Sequence, residues 1–220
     1  MSDIFREIDE EVRRDRFSQM VRRYWKYAAV AAILAVGAAV VSVVVEQQAD
    51  ARREAEGARF MAALGELELG YGDEAAMALS LLAAEGAEGY AALAGLREVQ
   101  ALLESGQRNA AVDAYDALSQ SQRVEPLYRE LAALFAAQLR FDLASRSEID
   151  QRLSALAQDG RPWRFLAREL IALAALKAGD RISARDGFAD LAEAAGATPA
   201  LQARAAEMLE LLGPSPDGGQ

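Results

Sequence analysis

The sequence predicts an all-α chain in which one transmembrane helix near the N-terminus is followed by an α-solenoid of helical hairpins. Three observations predict this fold class. Alanine supplies 49 of the 220 residues and proline only five, a composition that favours helix. Residues 28–45 carry no charge. After them, apolar residues recur at helical spacing between turns that come about every 35 residues.

The composition also excludes several kinds of chemistry. The chain contains no cysteine and no histidine, which removes disulfides, thiol catalysis and histidine-based proton relays. Its 24 basic and 34 acidic residues give a net charge of −10, so it has no electrostatic footprint for nucleic acid. We expect no cofactor and no small-molecule substrate.

Residues 1–27 are predicted to form a short cytoplasmic amphipathic arm. Ile4, Phe5, Ile8 and Val12 fall on one stripe of a helix, and charged residues occupy most other positions. Two interpretations stay open, because such an arm can lie on the membrane surface or pair with a cytoplasmic partner.

Residues 28–45 are predicted to be the transmembrane helix. Seven valines and seven alanines dominate the run, and a helix of this length covers about 27 Å of the roughly 30 Å bilayer core. Tyr24, Trp25 and Tyr27 precede it, where interfacial aromatic side chains belong. The alternative is a buried core helix of a soluble protein.

The flanking charges predict the orientation of this helix. Residues 1–26 hold seven Arg or Lys residues, and Arg22, Arg23 and Lys26 lie directly before the apolar run. By the positive-inside rule the N-terminus is cytoplasmic and the domain over residues 46–212 is translocated. No small-residue cleavage site follows the run, which favours an uncleaved signal anchor.

Small residues form one face of the predicted span. Ala31, Ala35, Ala38 and Ser42 are separated by four, three and four positions, a spacing that allows another helix to approach closely. This face is a candidate for docking on a neighbouring membrane helix or for self-association. The alternative is that an alanine-rich chain places alanine there by composition alone.

The translocated part repeats a helix–turn–helix pattern. With Gly72, Gly106, Ala144 and Gly179 as turn residues, the separations are 34, 38 and 35 residues, close to the period of a tetratricopeptide repeat. Positions +5, +9 and +12 after each turn are predicted to pack between helices. These positions are Met77, Leu81 and Ala84; Ala111, Tyr115 and Leu118; Ile149, Leu153 and Leu156; and Ala184, Phe188 and Leu191. The alternative is an irregular helical bundle.

The end of the chain is predicted to close the repeat series. Thr198 is a suitable N-cap and Pro199 a suitable first residue for a last helix over 199–212, which would cover the final hairpin. Residues 213–220 are predicted to be a disordered tail.

A groove for partner proteins is predicted on the first helix of each hairpin. In the last complete unit its residues are Leu166, Glu169, Leu173 and Lys177, a face that suits an extended or helical segment of a partner. The alternative is that Leu173 and the neighbouring Leu176 only form core between helices.

Catalytic motifs are absent from the sequence. It contains no phosphate-binding glycine loop, no nucleophile elbow and no calcium-binding loop. The acid pairs Asp113/Asp116 and Asp186/Asp190 lie one helical turn apart, and we interpret them as solvated surface. The chain is predicted not to be an enzyme and to hold no metal; an enzyme with an unrecognised site is the rival interpretation.

The order of parts resembles a known family. A short Arg-rich start over residues 1–16, one anchor and a degenerate tetratricopeptide domain are similar to the YfgM-like ancillary subunits of the Sec translocon. The resemblance covers nearly the whole chain and implies a single-pass bacterial inner-membrane protein with a periplasmic domain. It further implies a scaffold that binds partner proteins near the Sec protein-export channel and links it to periplasmic chaperones. The alternative is a periplasmic assembly adaptor for another envelope process, such as cell division.

Overall fold

A computed structural model describes the backbone of residues 3–213, and the side chains of these residues apart from 3–24, 28, 31, 32 and 88. Every regular element in that backbone is an α-helix, which confirms the all-α prediction for residues 3–213. The helices of this range are α1 (Asp3–Glu68), α2 (Gly72–Glu85), α3 (Glu88–Glu104), α4 (Arg108–Gln120), α5 (Pro126–Arg140), α6 (Arg146–Leu153), α7 (Arg164–Lys177), α8 (Arg181–Ala192) and α9 (Pro199–Leu212).

The chain divides into two compact units, residues 1–54 and residues 55–220. The predicted amphipathic stripe of residues 4–12 lies among the residues whose side chains are outside the description. The predicted disordered tail also lies, beyond Gly213, outside the described residues.

One described helical segment is long and apolar enough to cross a membrane. It lies within Ile33–Glu68, near the N-terminus, and none of its apolar window is buried. Ile33 and Leu34, for example, are 71% and 68% exposed. A continuous exposed apolar surface of this kind is suited to contact with lipid or with an apolar partner. By length and composition, this segment is a candidate membrane-spanning helix.

The second unit consists of successive helical hairpins. The end of α1 pairs with α2, α3 with α4, α5 with α6 and α7 with α8, and α9 follows the last hairpin. The turn residues Gly70, Gly106 and Gly179 have φ values of +86°, +74° and +83°. Glycine adopts this left-handed conformation without steric cost, and it ends the first helix of each of these hairpins.

Three of the four predicted packing registers agree with the structure. After Gly179, the side chains of Ala184, Phe188 and Leu191 are at most 1% exposed. The corresponding residues after Gly106 and Ala144 are also buried, except Tyr115, which is half-buried. After Gly106 and Gly179 a small residue, Ala111 or Ala184, is followed by larger ones, whereas Ile149 takes the first position after Ala144.

The prediction that Gly72 is the first turn residue is wrong. Met77 and Leu81, which it placed in the core, are 69% and 59% exposed, and Ala84 is exposed as well. The turn residue is Gly70. Counting +5, +9 and +12 from Gly70 instead reaches core residues, namely Ala75, Leu79 and Leu82.

Gly72 has a different role in the structure. It is the first residue of α2 and is buried. A Cβ at this position would lie 3.2 Å from the carbonyl oxygen of Ala101 in α3. Glycine therefore allows the start of α2 to approach α3 closely.

Hydrogen bonds join hairpins at separations close to one repeat. Arg108 and Arg181 each lie two positions after a turn glycine, and each donates to a carbonyl 31 residues further along the chain. The acceptors are the carbonyl oxygens of Leu139, at 2.7 Å, and Leu212, at 2.8 Å. Both acceptors lie at helix ends, where carbonyl groups lack partners within the helix.

Ion pairs follow the same spacing. Arg152 of α6 donates two hydrogen bonds to the carboxylate of Asp116 in α4, 36 residues earlier. Arg204 of α9 makes the same bidentate contact with Glu169 of α7, 35 residues earlier. α4 and α6 are the second helices of successive hairpins, and α9 follows the hairpin that begins with α7. The two ion pairs therefore join helices in equivalent positions, which lie side by side.

α5 and α9 both begin at a proline, which confirms the predicted start of the last helix at Pro199. Each proline lies in the first turn of its helix, α5 or α9. Thr198 caps α9, because its Oγ1 accepts a hydrogen bond from the backbone N–H of Leu201 at 3.4 Å. Pro162, in contrast, lies in the turn before α7.

Candidate binding groove

An open apolar groove of about 620 Å³ lies along α3. Residues of α3 form most of it, and one aromatic residue each from α4 and α5 closes one side. We call it the α3 groove, and its lining residues are Leu93, Leu96, Arg97, Val99, Gln100, Leu103, Glu104, Tyr115 and Phe135.

The apolar part of the α3 groove is accessible to a partner. Leu93 and Leu103 are 49% and 40% exposed. The rings of Tyr115 and Phe135 are tilted against each other, with centroids 5.7 Å apart. Burial raises the pKa of Tyr115, so its hydroxyl stays protonated and can donate a hydrogen bond.

A chain of polar side chains follows one rim of the groove. Arg97 donates to Gln100 Oε1 at 2.5 Å, and Gln100 Nε2 donates to Glu104 Oε1 at 2.9 Å. These side chains are aligned along the surface of α3 at one-turn spacing. The groove therefore combines an apolar floor with a row of donors and acceptors, the usual composition of a peptide-binding site.

The residues predicted to form a groove on α7 are mostly engaged within the chain. Leu166 is 36% exposed. Glu169 binds Arg204 of α9, and Leu173 packs against the core cluster shared by α7, α8 and α9. Lys177 donates to three backbone carbonyls at the turn between α5 and α6, at 2.5 to 3.2 Å. Partner binding by this face stays a prediction.

The predicted α7 face and the observed α3 groove are equivalent positions of two hairpins. The four predicted positions on α7 can be counted back from Gly179, and the same counts back from Gly106 reach residues of α3. All four of these α3 residues line the groove. These residues are Leu93, Leu96, Gln100 and Glu104. α9, two helices after α7, reaches over this face with Arg204, which binds Glu169. On α3 the same positions line the open groove.

The small-residue face of the predicted span is partly described. Ala35, Ala38 and Ser42 are exposed, whereas the side chain of Ala31 is outside the description. The Ser42 hydroxyl donates to the carbonyl of Ala39 at 2.9 Å. Helix docking through this face stays a prediction.

The acid pairs occupy ordinary surface positions. Asp116 is bound by Arg152, and Asp113, Asp186 and Asp190 are exposed. Among the side chains that the structure describes, no group of three acidic residues is arranged to hold a metal ion.

Two of the other carboxyl groups have strongly displaced pKa values. Burial raises the pKa of Glu98, on α3, from 4.5 to about 7. The pKa of Asp180 is lowered to about 2, because the carboxylate accepts hydrogen bonds from the backbone N–H and hydroxyl of Ser183 and from Arg146. Asp180 is the N-cap of α8, so its ionised form stabilises the start of that helix.

No family model matches the chain, and neither a curated protein nor a solved structure matches it.

Proposed function

We propose that the chain is a non-enzymatic single-pass membrane scaffold that binds a segment of a partner protein in the α3 groove. The observation that carries this proposal is the groove itself, which is open, apolar and lined at one rim by polar side chains. It lies at the hairpin position where the sequence pattern predicts a partner-binding face. An extended or helical peptide would bury Leu93, Leu103 and Phe135 and pair with the polar rim.

The helical hairpins form a tetratricopeptide-like solenoid in this proposal. Its support is the recurrence of the same contacts at one repeat period, including the donation by Arg108 and Arg181 to helix ends 31 residues away. In a repeat array each unit contacts mainly its neighbours, which produces such regular separations.

The anchor gives the scaffold its location. We place the N-terminus in the cytoplasm and the hairpin domain in the periplasm, because the Arg and Lys residues of the N-terminal arm precede the apolar run. The partners in this proposal are the Sec channel and periplasmic chaperones, by resemblance to YfgM-like subunits. Anchoring in the membrane that holds the Sec channel raises the effective concentration of that partner without any new contact.

Site-specific photo-crosslinking in intact cells tests the binding function. A photoreactive amino acid at Leu93 or Leu103 of the full chain is expected to capture a Sec channel subunit or a periplasmic chaperone, identified by mass spectrometry. The matched control is Ile182, an aliphatic residue of α8 that is 54% exposed and lies outside the groove. It is expected to give no such adduct.

Three outcomes bear on the proposal separately. The same adducts from Leu93 and Ile182, or none from Leu93, would contradict a specific α3 groove. Adducts only with proteins of cell division would favour the envelope-adaptor alternative. For topology, alkaline phosphatase fused after residue 213 should be active, and an inactive fusion there would refute the proposed orientation.

A further inference from the structure

A second groove, of about 400 Å³, lies between the end of α1 and α2, at the beginning of the hairpin series. We call it the α1–α2 groove. Ala62, Ala78 and Leu81 line its apolar part, and Glu56, Glu66 and Glu85 contribute carboxylates. All of these residues belong to the second unit.

Part of the equivalent place in the next hairpin is packed against α2. Measured from their turn glycines, Glu66 and Ala78 of the first hairpin correspond to Leu102 and Ala114 of the second. Leu102 is 9% exposed, and Ala114 is partly buried against the same core cluster, which also contains Leu79 of α2. Leu102 is therefore buried in a core that α2 helps to form, whereas the equivalent Glu66 is only half-buried and lines the groove.

The first hairpin has no such cover among the described helices of residues 55–213. No hairpin of this range precedes it, so the side that receives α2 in the second hairpin stays open in the first. Leu81, which lines the groove, is 59% exposed. Since each later hairpin packs against a helix of the hairpin before it, the occupant that fits the α1–α2 groove is one more helix.

The acidic charge around the groove favours a helix that carries basic residues. Residues 55–107 contain nine acidic residues and two basic ones, whereas residues 108–213 contain 15 acidic and 13 basic ones. Three of the nine acidic side chains line the groove, against one basic side chain, Arg59. A helix with basic residues beside its apolar stripe would find complementary charge here.

We infer that the α1–α2 groove binds an amphipathic helix of a partner protein, with small or aliphatic residues along one stripe and Lys or Arg on both flanks. A second copy of this chain is a poor occupant, because its net charge of −10 opposes approach to an acidic groove. The inference does not depend on partner binding in the α3 groove, which lies on a different pair of helices.

A binding experiment with a defined probe tests this inference. The full chain is placed in phosphatidylcholine nanodiscs, and a fluorescent synthetic helix with a Leu/Ala stripe and Lys flanks is titrated against it. A second helix with the same stripe and Glu flanks is the peptide control, and empty nanodiscs measure binding to lipid. Only the Lys-flanked helix is expected to bind the chain, with an affinity that falls as salt is raised.

Paired charge variants show whether the groove is the site. Glu66→Lys with Glu85→Lys should weaken binding by at least about tenfold, because both carboxylates contact the flanks of the probe. The matched control is Glu193→Lys with Glu210→Lys, which changes the net charge equally at exposed positions near the other end of the series. It should change the affinity by no more than about twofold, since exposed charges far from the site are screened.

A steric variant tests the same groove without changing its charge. Ala62→Trp should fill the groove and abolish binding, whereas Ala206→Trp on the exposed face of α9 should bind normally; circular dichroism checks that each is folded. The inference is overturned if both charge pairs weaken binding equally, if the Glu-flanked helix binds as well, or if the Lys-flanked helix does not bind. It is also overturned if the chain is a dimer that Ala62→Trp converts to a monomer.

Discussion

Replacing Glu98 with glutamine should stabilise the chain, and only at neutral and alkaline pH. Glu98 lies on the face of α3 that carries the buried Ala94, Ala101 and Leu102. Burial raises its pKa from 4.5 to about 7, since the charged carboxylate loses hydration there. The folded chain therefore binds this proton more tightly than the unfolded chain does.

The sign and size of the effect follow from that difference. Between pH 4.5 and about 7 the folded state carries the extra proton, so the free energy of unfolding falls as the pH rises through this window. A fully enclosed carboxyl with such a pKa would cost about 3 kcal/mol above the window. Glu98 is only half-buried, and solvent reduces the cost to about 1–2 kcal/mol.

Urea unfolding of the full chain in mild detergent micelles, followed by circular dichroism, measures this effect. Glu98→Gln should raise the free energy of unfolding by about 1–2 kcal/mol at pH 8 and by little at pH 5. Glu104→Gln, an exposed position on the same helix, should show no such pH-dependent gain. An equal effect of Glu98→Gln at both pH values, or a loss of stability at pH 8, would refute the reasoning.

The other predictions use the same unfolding measurement. Phe188→Ala should cost about 3–5 kcal/mol because it empties a core position, whereas Ile182→Ala on the exposed side of α8 should stay within about 0.5 kcal/mol; equal effects would contradict the packing register. Gly106→Ala should cost about 1 kcal/mol or more because alanine is strained at positive φ. Gly65→Ala, inside α1 with open space around it, should instead stabilise by about 0.5–1 kcal/mol; a loss there would contradict this conformational argument.

The sequence predicts a turn correctly where only one glycine lies between two helical runs. Gly106 and Gly179 are single glycines between apolar helical runs, and the residues counted from them reach the core as expected. The first turn contains both Gly70 and Gly72, and either satisfies a turn pattern. Only the backbone shows that Gly70 has positive φ and that Gly72 serves close packing.

The candidate site was harder to place from sequence, because exposure of a repeat face depends on the helix that follows. The residues predicted on α7 occupy the right face of a first helix, but Arg204 of α9 binds Glu169 there. The signal for the α3 groove was present in the repeat period, since shifting the α7 face back by two hairpins reaches Leu93 and Glu104. The elevated pKa of Glu98 had no comparable signal, because it depends on tertiary burial.

The contrast between the two ends of the hairpin series has a consequence for assembly. A molecule with a helix-accepting groove at one end and a matching helix at the other would add copies head to tail and form open filaments. Here the carbonyls at the end of α9 are bound by Arg181 and Arg185, and its exposed side carries Glu207 and Glu210. Carboxylates at both ends repel each other, so we expect the first groove to accept a basic partner without head-to-tail polymerisation of the chain.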